Sequence, residues 1–155
     1  MDIKYRQLGP ADESQFRELV DIVHAGLENE QFFFKYTDQE YDDMLTRHFV
    51  IGAFDAKDRL VGFNVMLLEK EYCEMDGIML LSEYRGARGI AIKMYEKCIA
   101  HATKIGAKKI IAKIHPDNKN IIRSPEKAGF VPIKTERVQP YNTLRTIFEL
   151  DLKTE

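Results

Sequence analysis

The sequence predicts a mixed α+β fold: a mostly antiparallel sheet of about six to seven strands, flanked by helices, with one strand–helix–strand unit at its centre. Three observations predict it. A series of strand-like apolar runs broken only by short turns fills residues 49–81, which antiparallel neighbours accommodate. A single long amphipathic helix then separates two strands, the pattern of a parallel crossover. Helices and strands do not alternate throughout, which excludes a purely doubly wound sheet. At 155 residues the chain is long enough to bury a core, and with no linker or repeat it reads as one domain spanning 1–155.

The elements follow in order. "IKYRQLG" alternates as a first strand, and "PADESQFRELVDIVHAGLENE" reads as a helix. Asp12 and Glu13 suit its first turn, and Phe16, Leu19, Val20 and Val23 recur at helical spacing. The aromatic run "QFFFKY" is expected in the core, with a loop lining a binding-site mouth as the other reading; "DQEYDDMLTRHF" is a second helix. "FVIGAFDAKDRLVGFNVMLLEKEYCEMDGIMLL" gives three antiparallel strands with turns at "DAKD" and "EKEY". The helix of "SEYRGARGIAIKMYEKCIAHATKIGA" carries an apolar stripe of Ile90, Met94, Cys98, Ile99, Ala102 and Ile105, and Gly106 ends it. "AKKIIAKIH" is a buried strand and "PDNKNIIRSPEKAGF" an interrupted helical segment. Ser124 is expected there as N-cap, with Pro125 at the first helical position. "RTIFELDL" closes the sheet.

Composition excludes several functions. With 23 Lys+Arg against 25 Asp+Glu, the net charge of −2 offers no basic face for nucleic acid. No apolar run reaches the ~20 residues that span a bilayer. The N-terminal "MDIKYRQLGPADESQF" lacks a signal-peptide core, so a cytoplasmic location is expected. Cys73 and Cys98 are too few for a disulfide scaffold. His24, His48, His101 and His115 show no metal-ligand spacing, so no metal is expected. Cys73 has no His near it in sequence and reads as a small buried thiol.

The chemistry concentrates in "YRGARGIA". A helix N-terminus presents unpaired N–H groups and the positive end of the macrodipole. Gly86 and Gly89 let backbone amides approach an anion, Arg85 and Arg88 add charge-assisted donors, and Ala87 and Ala91 keep the surroundings small. That suits a diphosphate; a tight strand-to-helix turn is the other reading. GxxxxGK[ST] and GxGxxG are both absent.

The stretch "LLSEYRGARGIAIKMYEKCIAHATKIGAKKIIAKIHPDNKNIIRSPEKAGF" resembles the GNAT superfamily of acyl-CoA-dependent N-acetyltransferases. The similarity lies in a Gln/Arg-x-x-Gly-x-Gly/Ala-type loop before a helix, followed by Asn118 and by Gly129-Phe130. "IKYRQLGPADESQFRELV" and "DRLVGF" extend it to nearly the whole chain. The resemblance implies acetyl-CoA as co-substrate, held by Leu80, Leu81, Arg85, Gly86, Ala87, Arg88, Gly89, Ile90, Ala91 and Asn118. It further implies direct transfer to an amine of a small molecule or protein, with a homodimer common in the family. The alternative is a GNAT-fold module that binds CoA or a protein partner without efficient turnover.

Two features depart from the family pattern. The loop is one residue longer, by an insertion among Gly86, Ala87 and Arg88, and the position of the usual proton-donating Tyr is Pro125. Tyr84, Tyr95, Ser124 or a water are candidates to replace it, Tyr84 foremost because it lies beside the loop. Glu74 and Asp76 lie two apart in a strand, on one face, and are the candidate bases. Counting back from Arg85, Glu74 falls where some members of the family carry a catalytic glutamate; were the extra residue before Arg85, that position would be Met75. The aromatic and acidic residues of "ENEQFFFKYTDQEYDD" and "ERVQPYNTLR" point to a cationic acceptor with an apolar portion.

Overall fold

Helix α1 (Glu13–Ala25) forms where the apolar spacing predicts it, and Phe16, Leu19, Val20 and Val23 are its buried face. A single 3₁₀ turn, Pro10–Asp12, leads into it. Helix α2 (Asp38–Arg47) starts at a capping box: Thr37 Oγ1 accepts from the Glu40 amide at 3.1 Å, and Glu40 returns a carboxylate oxygen to the Thr37 amide at 2.9 Å. The structure, a computed structural model, describes residues 2–86, 89–119 and 121–152.

The strands are β1 (Lys4–Gln7), β2 (Phe49–Phe54), β3 (Leu60–Leu68), β4 (Tyr72–Leu80), β5 (Lys109–Ile114), β6 (Val131–Val138) and β7 (Thr143–Asp151). They form one sheet in the order β1-β2-β3-β4-β5-β7-β6, with β4–β5 its parallel pair and the other neighbours antiparallel. Helix α3 (Ile90–Lys104) makes the crossover between β4 and β5, and the short α4 (Ser124–Lys127) precedes β6.

Successive residues of a strand face opposite sides. Phe63 of β3 packs edge-to-face on Phe16 of α1 at 4.8 Å, whereas a Cβ on its neighbour Gly62 would meet Met94 of α3 at 3.5 Å. Helices α1 and α3 therefore cover opposite faces. Phe16 also meets Tyr41 of α2 at 5.2 Å, so α2 joins the α1 layer. Such ring pairs add about 0.5–1.5 kcal/mol each beyond the area they bury.

Three details differ from the sequence reading. The elements read one by one include six strands; β6 is the seventh, a sheet-edge strand exposed along nearly its whole length and so without a burial pattern to read. Ile105 is not part of the α3 stripe: it follows the helix and is 48% exposed. Ser124 is the first residue of α4 rather than its N-cap, which is Arg123, and its hydroxyl donates to the Ile121 carbonyl at 2.6 Å.

One irregularity positions everything that follows. Strands β4 and β5 pair from Tyr72↔Lys109 to Met75↔Ala112 and then part. At the same point β4 carries a bulge against β3, where Val65 faces Gly77 and Met66 faces Met75, leaving Asp76 as the extra residue.

Candidate active site

The parting strands open a cavity of about 560 Å³ that runs from the start of α3 to the bulge. Its rim is the loop singled out above. Gly86 (φ 100°) and Gly89 (φ 69°) both adopt left-handed backbone that an L side chain resists, and an added Cβ at either would meet nothing within 4 Å. Gly86 and Gly89 therefore present bare backbone to open space near the N-terminus of a helix of 15 residues. Arg85 lies on the same rim, its Nε donating to the Leu80 carbonyl at 3.1 Å. Ala87 and Arg88, expected in this cradle, lie outside the described residues.

The other expected contacts divide. Leu80, Ala91 and Asn118 line the cavity, Asn118 as one of the few buried polar residues. Ile90 is only 2% exposed and belongs to the core. Leu81 is also buried, and its amide is held by the Val61 carbonyl at 2.9 Å. Because N–H groups alternate along an antiparallel ladder, that bond turns the Ile78 and Leu80 amides away from β3, toward the gap left by β5. Of the two expected contacts, Leu80 therefore stays open to the cavity, whereas Leu81 does not: it is buried, its amide is taken by β3, and it is not among the described lining residues.

Sequence reasoning missed several lining residues. Exposed Lys119, Arg123 and Lys127 join Arg85 around the mouth, and among the described residues none of the four closes a salt bridge. These three cations come from a segment read only as interrupted helix. Asn64 is fully buried on β3 and lines the cavity, and neither its amide nitrogen nor its oxygen has a hydrogen-bond partner. Such an orphaned carboxamide costs about 1–3 kcal/mol unless something satisfies it. The available signal was one polar residue inside the apolar strand "LVGFNVMLL".

At the inner end stands Asp76. It also lines a second cavity of about 240 Å³ on the other side of the gap, which shares Phe32, Phe33, Met75 and Lys113 with the first. Glu74 reaches this second cavity, so the structure brings the two carboxylates together. Their environments differ. Glu74 forms an ion pair with Lys113 at 3.2 Å. Asp76 is accessible from the cavities yet walled by protein; loss of solvation, then the charges of Glu74 and Glu40, push its carboxyl up to about 6. The Tyr36 hydroxyl is buried and faces Asp76 without meeting ordinary hydrogen-bond geometry, and burial together with Asp76 holds its pKa well above the usual phenol range. Gly77 makes room for it: a Cβ there would lie 2.8 Å from the Tyr36 oxygen and 3.2 Å from Phe33 Cε1. The aromatic run thus serves both readings, with Phe33 in the core and Phe32 and Phe34 on cavity walls.

Among the hydroxyl candidates, Tyr84 is buried with its side chain against Arg59, and it is not among the described residues lining either cavity. Tyr95 and Ser124 both line the larger cavity, and their hydroxyls adjoin. Burial raises the Tyr95 pKa, which keeps that hydroxyl protonated. Pro125 is buried in α4. Cys73 is fully buried, with its thiol pKa raised by desolvation, and His101 stacks on Phe49 at 4.1 Å. Among the described residues no three His, Cys, Asp or Glu side chains gather as a metal site, and no helix is long and apolar enough to cross a membrane.

Comparison with known proteins places this geometry in context. The acetyltransferase (GNAT) family matches residues 18–130. No curated protein sequence matches the chain. Among solved structures, an N-acetyltransferase from Staphylococcus aureus Mu50 superposes with a TM-score of 0.81 at 15% identity, covering 97% of this chain and 98% of that one. Arabidopsis thaliana NAA60 in complex with acetyl-CoA gives 0.80 at 12%, covering 97% and 100%. The ribosomal-protein-S18-alanine N-acetyltransferase of Escherichia coli gives 0.78 at 14%, covering 99% and 96%. At these identities the likeness is one of fold.

Proposed function

Since the chain belongs to the GNAT acetyltransferase family, we propose that it moves the acetyl group of acetyl-CoA directly to a primary amine. The observation that carries this reading is the meeting of two cavities at Asp76, one rimmed by the glycine loop and one opening beside the acidic and aromatic residues of the first helical connection. The residues of the larger cavity fit the donor. Gly86, Gly89 and the start of α3 offer amides to the diphosphate, and Arg85, Lys119, Arg123 and Lys127 offer charge to its phosphates. The Asn64 carboxamide supplies an unused donor and acceptor to the arm. Solved relatives of this fold include one in complex with acetyl-CoA and one named for acetylating an alanine of a ribosomal protein.

The reaction needs little beyond placement. The open amide of Ile78 or Leu80 polarises the thioester carbonyl. The ammonium arriving through the smaller cavity gives its first proton to bulk water. The neutral amine then attacks the carbonyl carbon, and the second proton leaves nitrogen for the Asp76 carboxylate, whose pKa near 6 suits a base working near neutral pH. Collapse breaks the C–S bond, and the protonated Tyr95 hydroxyl beside Ser124 delivers a proton to the departing thiolate. Holding both substrates at the strand gap supplies much of the acceleration. Tyr95→Phe keeps the ring and removes the donor. The expected outcome is a fall in kcat of about tenfold or more with KM for acetyl-CoA unchanged.

Pro125, where the family's Tyr usually stands, favours a second reading: a module that binds CoA without turnover. Thiol release from acetyl-CoA across a panel of primary amines, with the acetylated product identified by mass spectrometry, separates the two. Acetylated amine supports the transferase. Acetyl-CoA binding with no product from any amine supports the module.

A further inference from the structure

Resting on the reading of the smaller cavity as the acceptor site, we propose that the acceptor carries a carboxylate alongside its amine, and that Arg145 holds this carboxylate. Arg145 lies on β7 and reaches the wall of the cavity that Asp76 also lines. Its guanidinium is fixed in place by two backbone carbonyls, Nη1 donating to Leu144 and Nη2 to Gln31, each at 2.8 Å. Arginine has five N–H donors in a rigid fork, so these bonds orient the group and leave donors over.

The charge around it is incomplete. Arg145 is half-buried, and among the described residues no carboxylate lies within ion-pair distance of it. Loss of solvation lowers its pKa, and Asp76 is the acid whose field opposes that. The other acid between β4 and β5, Glu74, already pairs with Lys113 at 3.2 Å. Among the described residues the cavity therefore keeps two carboxylates without an ion pair, Asp76 at the strand gap and Glu40, which caps the Thr37 amide, and one unpaired guanidinium on its wall. A purely cationic amine is drawn to Asp76 but repelled by Arg145. A molecule with an ammonium and a carboxylate satisfies both, and the fork of an arginine matches a carboxylate in two-point fashion.

The size agrees. At about 240 Å³ the cavity is smaller than the ~300–1,000 Å³ that holds drug-sized ligands, so it takes a small zwitterion or one terminal residue. Phe34 and Tyr141, stacked at 4.0 Å, add an apolar wall that an aliphatic or aromatic portion can cover. Two sources present this chemistry: the α-carboxylate of a free amino acid, or an acidic side chain close to the N-terminal amine of a peptide.

The test compares matched acceptors with acetyl-CoA in the thiol-release assay. One arm uses L-alanine, L-methionine, L-phenylalanine and L-glutamate, each against its α-carboxamide. The other uses the peptide amides Asp-Ala-Ala and Asn-Ala-Ala, which carry the carboxylate or its neutral partner on the terminal residue itself. The expected result is a kcat/KM for the carboxylate form at least about tenfold above its neutral partner in one arm, and that arm identifies the source. Arg145→Met removes the preference, Arg145→Lys retains part of it, and both variants bind acetyl-CoA as the wild type does. Equal turnover of charged and neutral partners, or a preference that survives Arg145→Met, overturns the inference and leaves the transferase standing. Acetyl-CoA binding with no turnover of any acceptor contradicts the transferase reading itself, and the inference with it.

Discussion

Asp76 owes its chemistry to a single extra residue in a strand. Without the bulge, Glu74 and Asp76 would be equivalent positions on one face, which is how "EKEYCEMDG" reads; with it, Glu74 turns to Lys113 and Asp76 is left between two cavities. That placement has opposite consequences for activity and stability. A base must be ionised, so kcat/KM should show a limb with its midpoint at about pH 6, below the further rise as the acceptor's own ammonium deprotonates, and Asp76→Asn should lose this lower limb. Because the folded-state pKa is raised from 3.8, the folded protein binds more protons than the unfolded chain between those values. Asp76 therefore ceases to be neutral at a cost to stability as pH climbs through about 6, and Asp76→Asn should melt higher than wild type at pH 7.5 and no higher at pH 3.5. Melting curves at the two pH values check the sign. The residues that were not legible share one physical reason: their role is assigned by distant neighbours. Arg145 is fixed by the carbonyl of Gln31, 114 residues away, and Tyr36 by a glycine in β4.

At the scale of elements, α1, α2 and α3 were legible because their buried residues recur at helical spacing, and β2 to β4 because they are apolar runs bounded by short turns, β2 and β3 being buried almost throughout. Strand β6 was not, because all of "VPIKTERV" is exposed or nearly so and only its ladder with β7 makes it a strand. The start of α3 is where the proposed function can be tested on a single element. Gly89 is its N-cap in the left-handed region, and an added side chain there would enter open space at the cavity rim. Asp tolerates left-handed backbone better than most residues and is favourable near a helix N-terminus, so Gly89→Asp should remain folded while setting a negative charge against the diphosphate. The expected outcome is a dissociation constant for acetyl-CoA weakened at least about tenfold, equivalent to about 1.4 kcal/mol, by calorimetry. An unchanged constant in a folded variant would make the loop a turn and no more.

For the whole molecule, the proposed transfer rests on the sheet, whose parting strands open the two cavities. Its mixed character followed from one crossover helix among antiparallel runs, whereas the place of β7 between β5 and β6, and the gap where β4–β5 pairing stops at Met75↔Ala112, are announced by no local pattern. A ligand seated in that gap binds only the folded chain. Acetyl-CoA at 100 times its dissociation constant should add about 2.7 kcal/mol of stability, which in a chain of 155 residues raises Tm by about 5–10 °C. Circular dichroism is the suitable probe, because the chain contains no Trp. Transfer at Asp76 is tested by following a primary amine and isotopically labelled acetyl-CoA through one turnover with wild type and with Asp76→Asn. The expected outcome is labelled acetyl on the amine with wild type, and, with a variant that still binds acetyl-CoA, transfer slowed by about a hundredfold or more at pH 7.5. Equal transfer by the two proteins would contradict it.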